Sequence, residues 1–180
     1  NTRVVRQTTF GSAQVTPPQV GNSVLFLQRA SRKVREYVYQ FETDAYTAPD
    51  LAILAEHITV GGVVDMAYQQ EPDSVVWMVR ADGVLLGMTY ERAQDVVGWH
   101  RHVVGGSGAA VESVAVIPSE TGDRDDLWCV VKRTINGATV RYIEFMTNGI
   151  ADDATGTTDA TFLDSMLTYN GGSVTTLQGL

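Results

Sequence analysis

Residues 75–90, VVWMVRADGVLLGMTY, read as a strand, a turn at Ala81-Asp82-Gly83 and a second strand, and this pattern returns along the chain. Residues 127–145, LWCVVKRTINGATVRYIEF, repeat it with a turn at Asn136-Gly137. Residues 24–41, VLFLQRASRKVREYVYQF, hold a degenerate earlier copy. A further short apolar strand precedes each clear copy, at 63–68 and 111–117. Short antiparallel strands recurring at about 45–50 residues predict radially arranged sheets of the propeller type. Architecture, rather than a catalytic motif, is the strongest constraint on such a chain.

The 180 residues suffice for the core of one compact domain. Gly is frequent, at 17, and the recognisable turns fall at Gly or Asn-Gly, as expected of an all-β chain. A net charge of −8 argues against general affinity for nucleic acid, which needs clustered Lys and Arg. The one basic cluster, Arg29-Ala30-Ser31-Arg32-Lys33-Val34-Arg35, reads as a solvated hairpin turn or as a contact with an acidic neighbour. The single cysteine, Cys129, lies in an apolar strand and reads as a buried small hydrophobe rather than a nucleophile. With no disulfide framework, the chain suits assembly in a reducing cytoplasm. No apolar run approaches the roughly 20 residues of a membrane span, and no signal segment opens the chain. The start at Asn1 and the stop at Gly179-Leu180 lead us to expect a piece of something longer.

Residues 1–23 are polar, carry Pro17-Pro18 and are expected to form an extended N-terminal arm. Antiparallel four-stranded meanders of blade type are expected over 24–147, as blades at 24–62, 63–104 and 111–146. The best of them has strands expected at 63–69, 74–80, 84–90 and 95–103. One short helix is predicted near 50–58, with Asp50 as N-cap and Leu51, Ile53, Leu54, Ala55 and Ile58 spaced for a turn or two. Gly105-Gly106-Ser107-Gly108 reads as a flexible link. Residues 148–180 read as a linker and the start of a following β segment, with Phe162, Leu163, Leu167 and Tyr169.

The constellations that could carry chemistry are few. His100 and His102 share one face of a strand at metal-like spacing, but no further ligand is close in sequence, and His57 is the only other histidine. Hydrogen bonding at a blade edge is the expected role. Trp99 and Arg101 share the opposite face, where an Arg–aromatic stack is open to them. Glycosidase chemistry needs two acids roughly 5–9 Å apart, and the candidates Asp65, Glu71, Asp73, Glu112 and Asp126 mostly sit at turns. Asp65 and Glu112 hold matching places in two repeats, which favours a structural role such as bonding a neighbouring amide. Trp77 and Trp128 also match and read as inter-sheet packing. The acidic run Glu120–Asp126 is only loosely like a calcium loop, without the alternating ligands of an EF-hand. Walker, dinucleotide, nucleophile-elbow and zinc patterns are absent. No residue is therefore assigned a catalytic, cofactor-binding or metal-ligating role, and no cofactor is expected.

Taken together, APDLAILAEHI, VVDMAYQQEPDSVVWMVRADGVLLGMTYER, VVGWHRH, VESVAVIP and LWCVVKRTINGATVRYIE resemble the tail tubular or nozzle proteins of short-tailed bacteriophages and prophages. The resemblance covers residues 24–147, and LDSMLTYNGGS more loosely. It implies a β-propeller-like core followed by further small β domains. It also implies a structural role in the virion tail without catalysis, homo-oligomeric assembly, contact with portal or adaptor proteins, and transient passage of DNA. A complete propeller needs more blades than this chain holds, so the expectation is part of one. The alternatives are a carbohydrate- or protein-binding propeller module, with Trp99, Tyr46 and loop acids at its ligand face, and a glycoside hydrolase fragment.

Overall fold

Three antiparallel sheets follow one another along the chain in a computed structural model that describes residues 6–147. The first sheet holds β1 (Gln19–Val20), β2 (Ser23–Leu27), β3 (Val34–Gln40) and β4 (Ala45–Thr47). The second holds β5 (Val63–Gln69), β6 (Val75–Arg80), β7 (Leu85–Glu91) and β8 (Val96–His102). The third holds β9 (Ala110–Pro118), β10 (Asp125–Ile135) and β11 (Ala138–Phe145). Each is a meander, with every strand hydrogen-bonded to its neighbours in sequence. The protein is all-β, and among the described residues no helix is long and apolar enough to cross a membrane.

The second sheet is covered on both faces, which explains why β6 reads as a continuous apolar run with five consecutive buried residues. Side chains alternate across a strand. Val76, Met78, Leu86, Met88 and Tyr90 therefore pack against Leu25, Leu27 and Val34 of the first sheet. Val75, Trp77, Val79 and Leu85 pack against Val111, Val114, Leu127, Cys129 and Val131 of the third. Each such side chain contributes about 1.5–3 kcal/mol on burial.

The repeats match in detail. The first strand of the second and of the third sheet carries a β-bulge, which sets Val64 and Glu112 out of register with their partner strands. Just before each bulge an amide reaches back to the previous sheet. Val63 donates to the Ser31 carbonyl at 2.8 Å, and Val111 donates to the Gly83 carbonyl at 2.9 Å. The outer hairpins match too. A single 3-10 turn, Phe41–Thr43 or Arg92–Gln94, is closed by an aspartate in the left-handed region, Asp44 (φ 46°) or Asp95 (φ 54°). Aspartate is among the few non-glycine residues that tolerate this conformation. β4 lies in a stretch whose sequence shows no clear strand signal.

The helix expected near 50–58 does not form. In its place stand successive i→i+3 turns: Ala55 donates to Ala52, Ile58 to Ala55 and Gly62 to Thr59, at 2.9–3.0 Å. The sheets take the groups a helix would need. The Leu51 amide donates to the Val34 carbonyl at 2.8 Å. The Leu51 and Ile58 carbonyls accept from Trp99 Nε1 (3.0 Å) and Arg80 Nη1 (2.8 Å). Asp50 still caps locally, accepting from the Ala52 amide at 3.0 Å. Within the expected N-terminal arm, Ala13 donates to the Leu27 carbonyl at 2.9 Å and β1 pairs with β2. The linker and β segment expected over 148–180 lie outside the described residues.

Candidate functional site

The polar side chains suited to chemistry gather at the seams between sheets. At the seam of the second and third sheets, Asp65 on β5 accepts from Ser113 Oγ (2.6 Å) and from the Val114 amide (3.1 Å) on β9. Asp125, at the start of β10, accepts from the Gln70 and Glu71 amides (2.8 and 3.1 Å) and donates its own amide to the Glu71 carbonyl (3.0 Å). These carboxylates tie the first strands and turns of adjacent sheets together. The bulges correct the pairing of Asp65 with Glu112: Glu112 corresponds to Val64, and the counterpart of Asp65 is Ser113. Glu112 instead accepts from Arg141 Nε at 2.6 Å and lies 3.6 Å from Lys132 Nζ. Replacing Asp65 with alanine leaves the Ser113 hydroxyl and Val114 amide without this acceptor. A loss of about 1–2 kcal/mol is expected in urea unfolding, and an unchanged midpoint would show that the tie contributes nothing.

On the face of the second sheet that bears Trp77, His100 Nδ1 and His102 Nε2 stand 2.7 Å apart, so one ring donates and the other accepts. Both rings pack on Trp77, with centroids 5.5 and 5.4 Å away. Trp77 Nε1 donates to Gln69 Oε1 at 2.8 Å. Gly87 makes the space, because a Cβ there would stand 1.9 Å from His100 Cε1. The two histidines thus bond each other beside a buried tryptophan. Among the described residues no group of three or more His, Cys, Asp or Glu is placed to hold a metal ion.

Burial holds both imidazoles below the ordinary value of 6.5, and His102 adds a smaller repulsion on His100. The unfolded chain then binds protons more readily than the native state. Stability is full above about pH 6.5 and falls as the pH drops through that value. The His100→Gln, His102→Gln double variant is expected to flatten this acid limb in melts between about pH 7.5 and 5. A limb of unchanged slope would assign it to other groups.

Glu36 is the buried acid that the sequence does not announce. Its carboxylate is fully buried between the first and second sheets, where Ser23 Oγ donates at 2.8 Å and Arg92 Nε lies 3.3 Å away. Among the described residues its second oxygen and the Tyr90 hydroxyl have no hydrogen-bond partner. Burial, with the Glu36 carboxylate beside it, pushes the Tyr90 phenol up to about 12. The only sequence trace is positional: Val34, Glu36 and Val38 alternate with Arg35, Tyr37 and Tyr39. With no exposed surface, Glu36 offers nothing to a substrate and serves to fix the first sheet on the second.

The remaining candidates are dispersed. Asp126 accepts from Arg124 Nε at 3.0 Å, and Asp73 is exposed in the β5–β6 turn. In the acidic loop, Ser119 and Thr121 donate to Asp123, closing the turn on itself. Two members of the basic cluster meet neighbours within the chain: Lys33 pairs with Asp50 (2.8 Å) and Glu56 (3.3 Å), and Arg35 donates to Gln28 and to the Ala48 carbonyl. Gly105 is packed rather than free, its carbonyl accepting from Arg133 Nε at 2.9 Å. His57 is exposed in the turn segment, and Arg101 is exposed on β8. Trp99 packs toward the first sheet, while Tyr46 lies on that sheet's other face, so the two do not share a ligand surface. Cys129 is buried, and burial, with Glu144 second, pushes its thiol up to about 11. Two hollows in the described surface are open. One, of about 310 Å³, lies beside Arg80, Asp82, Glu112 and Lys132, and the other, of about 340 Å³, lies beside residues 6–10 and Tyr46. No protein-family model matches the sequence, and a search of curated proteins finds no match.

Proposed function

We propose that this chain is a structural component of a bacteriophage tail, of the tail tube or nozzle type, built of propeller blades and acting in virion assembly and DNA passage without catalysis. The observation that carries this reading is the use made of the reactive groups. Asp65 and Asp125 are committed to seams between consecutive sheets, His100 and His102 to each other, and Glu36 to a sealed contact. A chain that commits its chemistry to joining repeats is a building block.

Consecutive meanders packed face to face, with matched bulges and matched amide ties, support the blade reading. The net charge of −8 suits a conduit that must not hold its cargo, because an acidic wall repels phosphate. The test is the full open reading frame with its gene neighbours, and negative-stain imaging of its product. Portal, capsid and tail genes alongside, with ring-shaped particles, are the expected result. A sugar-metabolism cluster, or channel-facing residues that prove mainly basic, would overturn the reading.

A further inference from the structure

β8 is the outer strand of the second sheet. His100 and His102 stand on it two residues apart, so both rings leave the same face of the strand. That face looks toward the third sheet, whose strands β9 and β10 lie chiefly over β5 and β6. The histidines therefore sit toward its margin, and neither residue is fully buried. Their floor is fixed. Both rings rest on the buried Trp77, and Gly87 leaves the space that His100 fills.

Two imidazole nitrogens already converge there. His100 Nδ1 and His102 Nε2 stand 2.7 Å apart, with the ring planes perpendicular and the centroids 4.9 Å apart. Nitrogens held about 2.0–2.1 Å from one metal ion stand about 2.9 Å apart at a right angle and about 3.3 Å apart at a tetrahedral angle. The observed separation lies nearer the first. A right-angled pair of nitrogens suits the tetragonal ions Cu²⁺ and Ni²⁺ better than tetrahedral Zn²⁺.

We propose that His100 and His102 chelate a divalent transition-metal ion of tetragonal preference, Cu²⁺ or Ni²⁺, at the margin of the second sheet. The ion takes the lone pairs of His100 Nδ1 and His102 Nε2. A turn of one ring about its Cβ–Cγ bond aims both lone pairs at one point. The proton now between the rings moves through solvent to the outer nitrogen of the donor ring, so both imidazoles stay neutral. Water fills the remaining positions, since among the described residues no third His, Cys, Asp or Glu joins the pair. That is fewer protein ligands than a structural zinc site uses. The ion therefore clips two side chains of a strand already formed rather than folding the chain. The site rests on strand spacing and ring geometry and stands apart from the tail role.

Titration of the whole 180-residue chain with Cu²⁺, Ni²⁺ or Zn²⁺ alone, in a buffer free of chelators, tests it. Saturable binding is expected, tightest for Cu²⁺ and weakest for Zn²⁺. Bound Cu²⁺ is expected to quench Trp77, whose ring lies 5.5 and 5.4 Å from the two imidazoles. Electron paramagnetic resonance of the Cu²⁺ form is expected to show two coordinated nitrogens. His100→Gln and His102→Gln are each expected to weaken Cu²⁺ binding at least about tenfold, because loss of a mere outer-shell partner costs about 10–100-fold. His57→Gln, in the exposed turn segment, is expected to keep the wild-type affinity. Circular-dichroism melts check that the variants fold, and His102→Asn replaces His102→Gln if that variant does not. No saturable binding, Zn²⁺ bound more tightly than Cu²⁺, affinity unchanged in the His100 and His102 variants, or affinity lost equally in His57→Gln overturns the site. Any of these results would leave the tail role to be decided by the gene neighbours.

Discussion

Gly83→Ala is expected to destabilise the protein by about 2–4 kcal/mol in urea unfolding. Two effects add. Gly83 sits at φ 85°, where a side chain meets its own backbone. A Cβ there would also stand 2.3 Å from Ala110 Cβ and 2.8 Å from Ala110 Cα, and backbone cannot swing aside as a side-chain tip can. The Gly83 carbonyl accepts from the Val111 amide at 2.9 Å, so moving either chain breaks the tie between the second and third sheets. Gly137→Ala is the control. Its φ is 79°, but a Cβ there would meet nothing within 4 Å, so the expected loss is only about 1 kcal/mol. Equal losses at the two sites would show that the close approach of the sheets contributes nothing.

Met78→Ala is expected to cost about 2–5 kcal/mol, the range for deleting a large apolar side chain from a packed core. Met78 is fully buried and sits where the second sheet meets the first. Leu54→Ala should stay within about 0.5 kcal/mol of wild type. Leu54 is 94% exposed in the segment whose apolar spacing suggests a helix, so it has no core contacts to lose. A large loss at Leu54, or none at Met78, measured by thermal or urea melts, would contradict this division of the core.

The strands of the second sheet were legible because short apolar runs end at clear turns, and Ala81-Asp82-Gly83 lies where the β6–β7 hairpin turns. The three strands of the third sheet were legible for the same reason. The segment after Pro49 misled because helical spacing counts apolar residues without asking who takes the backbone groups. Here Val34, Trp99 and Arg80 take them. The pairing of Asp65 with Glu112 missed by one residue, because a bulge adds a residue without altering the local pattern. Glu36 was hidden because a charged residue in an alternating strand normally marks the wet face. Its burial depends on Ser23 and Arg92 arriving from other strands and turns.

Local chemistry by itself determined the all-β class, the positions of most strands and the repeat. Alternation, turn residues and β-branched side chains act between near neighbours, and their signal is complete within a few residues. Tertiary structure alone decided which face of each sheet looks forward and which looks back. It also decided that Asp65 grips the next sheet, that two histidines share a hydrogen bond on Trp77, and that Ile143 and Phe145 are left exposed among the described residues. Those outcomes depend on how one sheet settles on another. That is set by summed burial and by amide ties between residues about 30–50 positions apart.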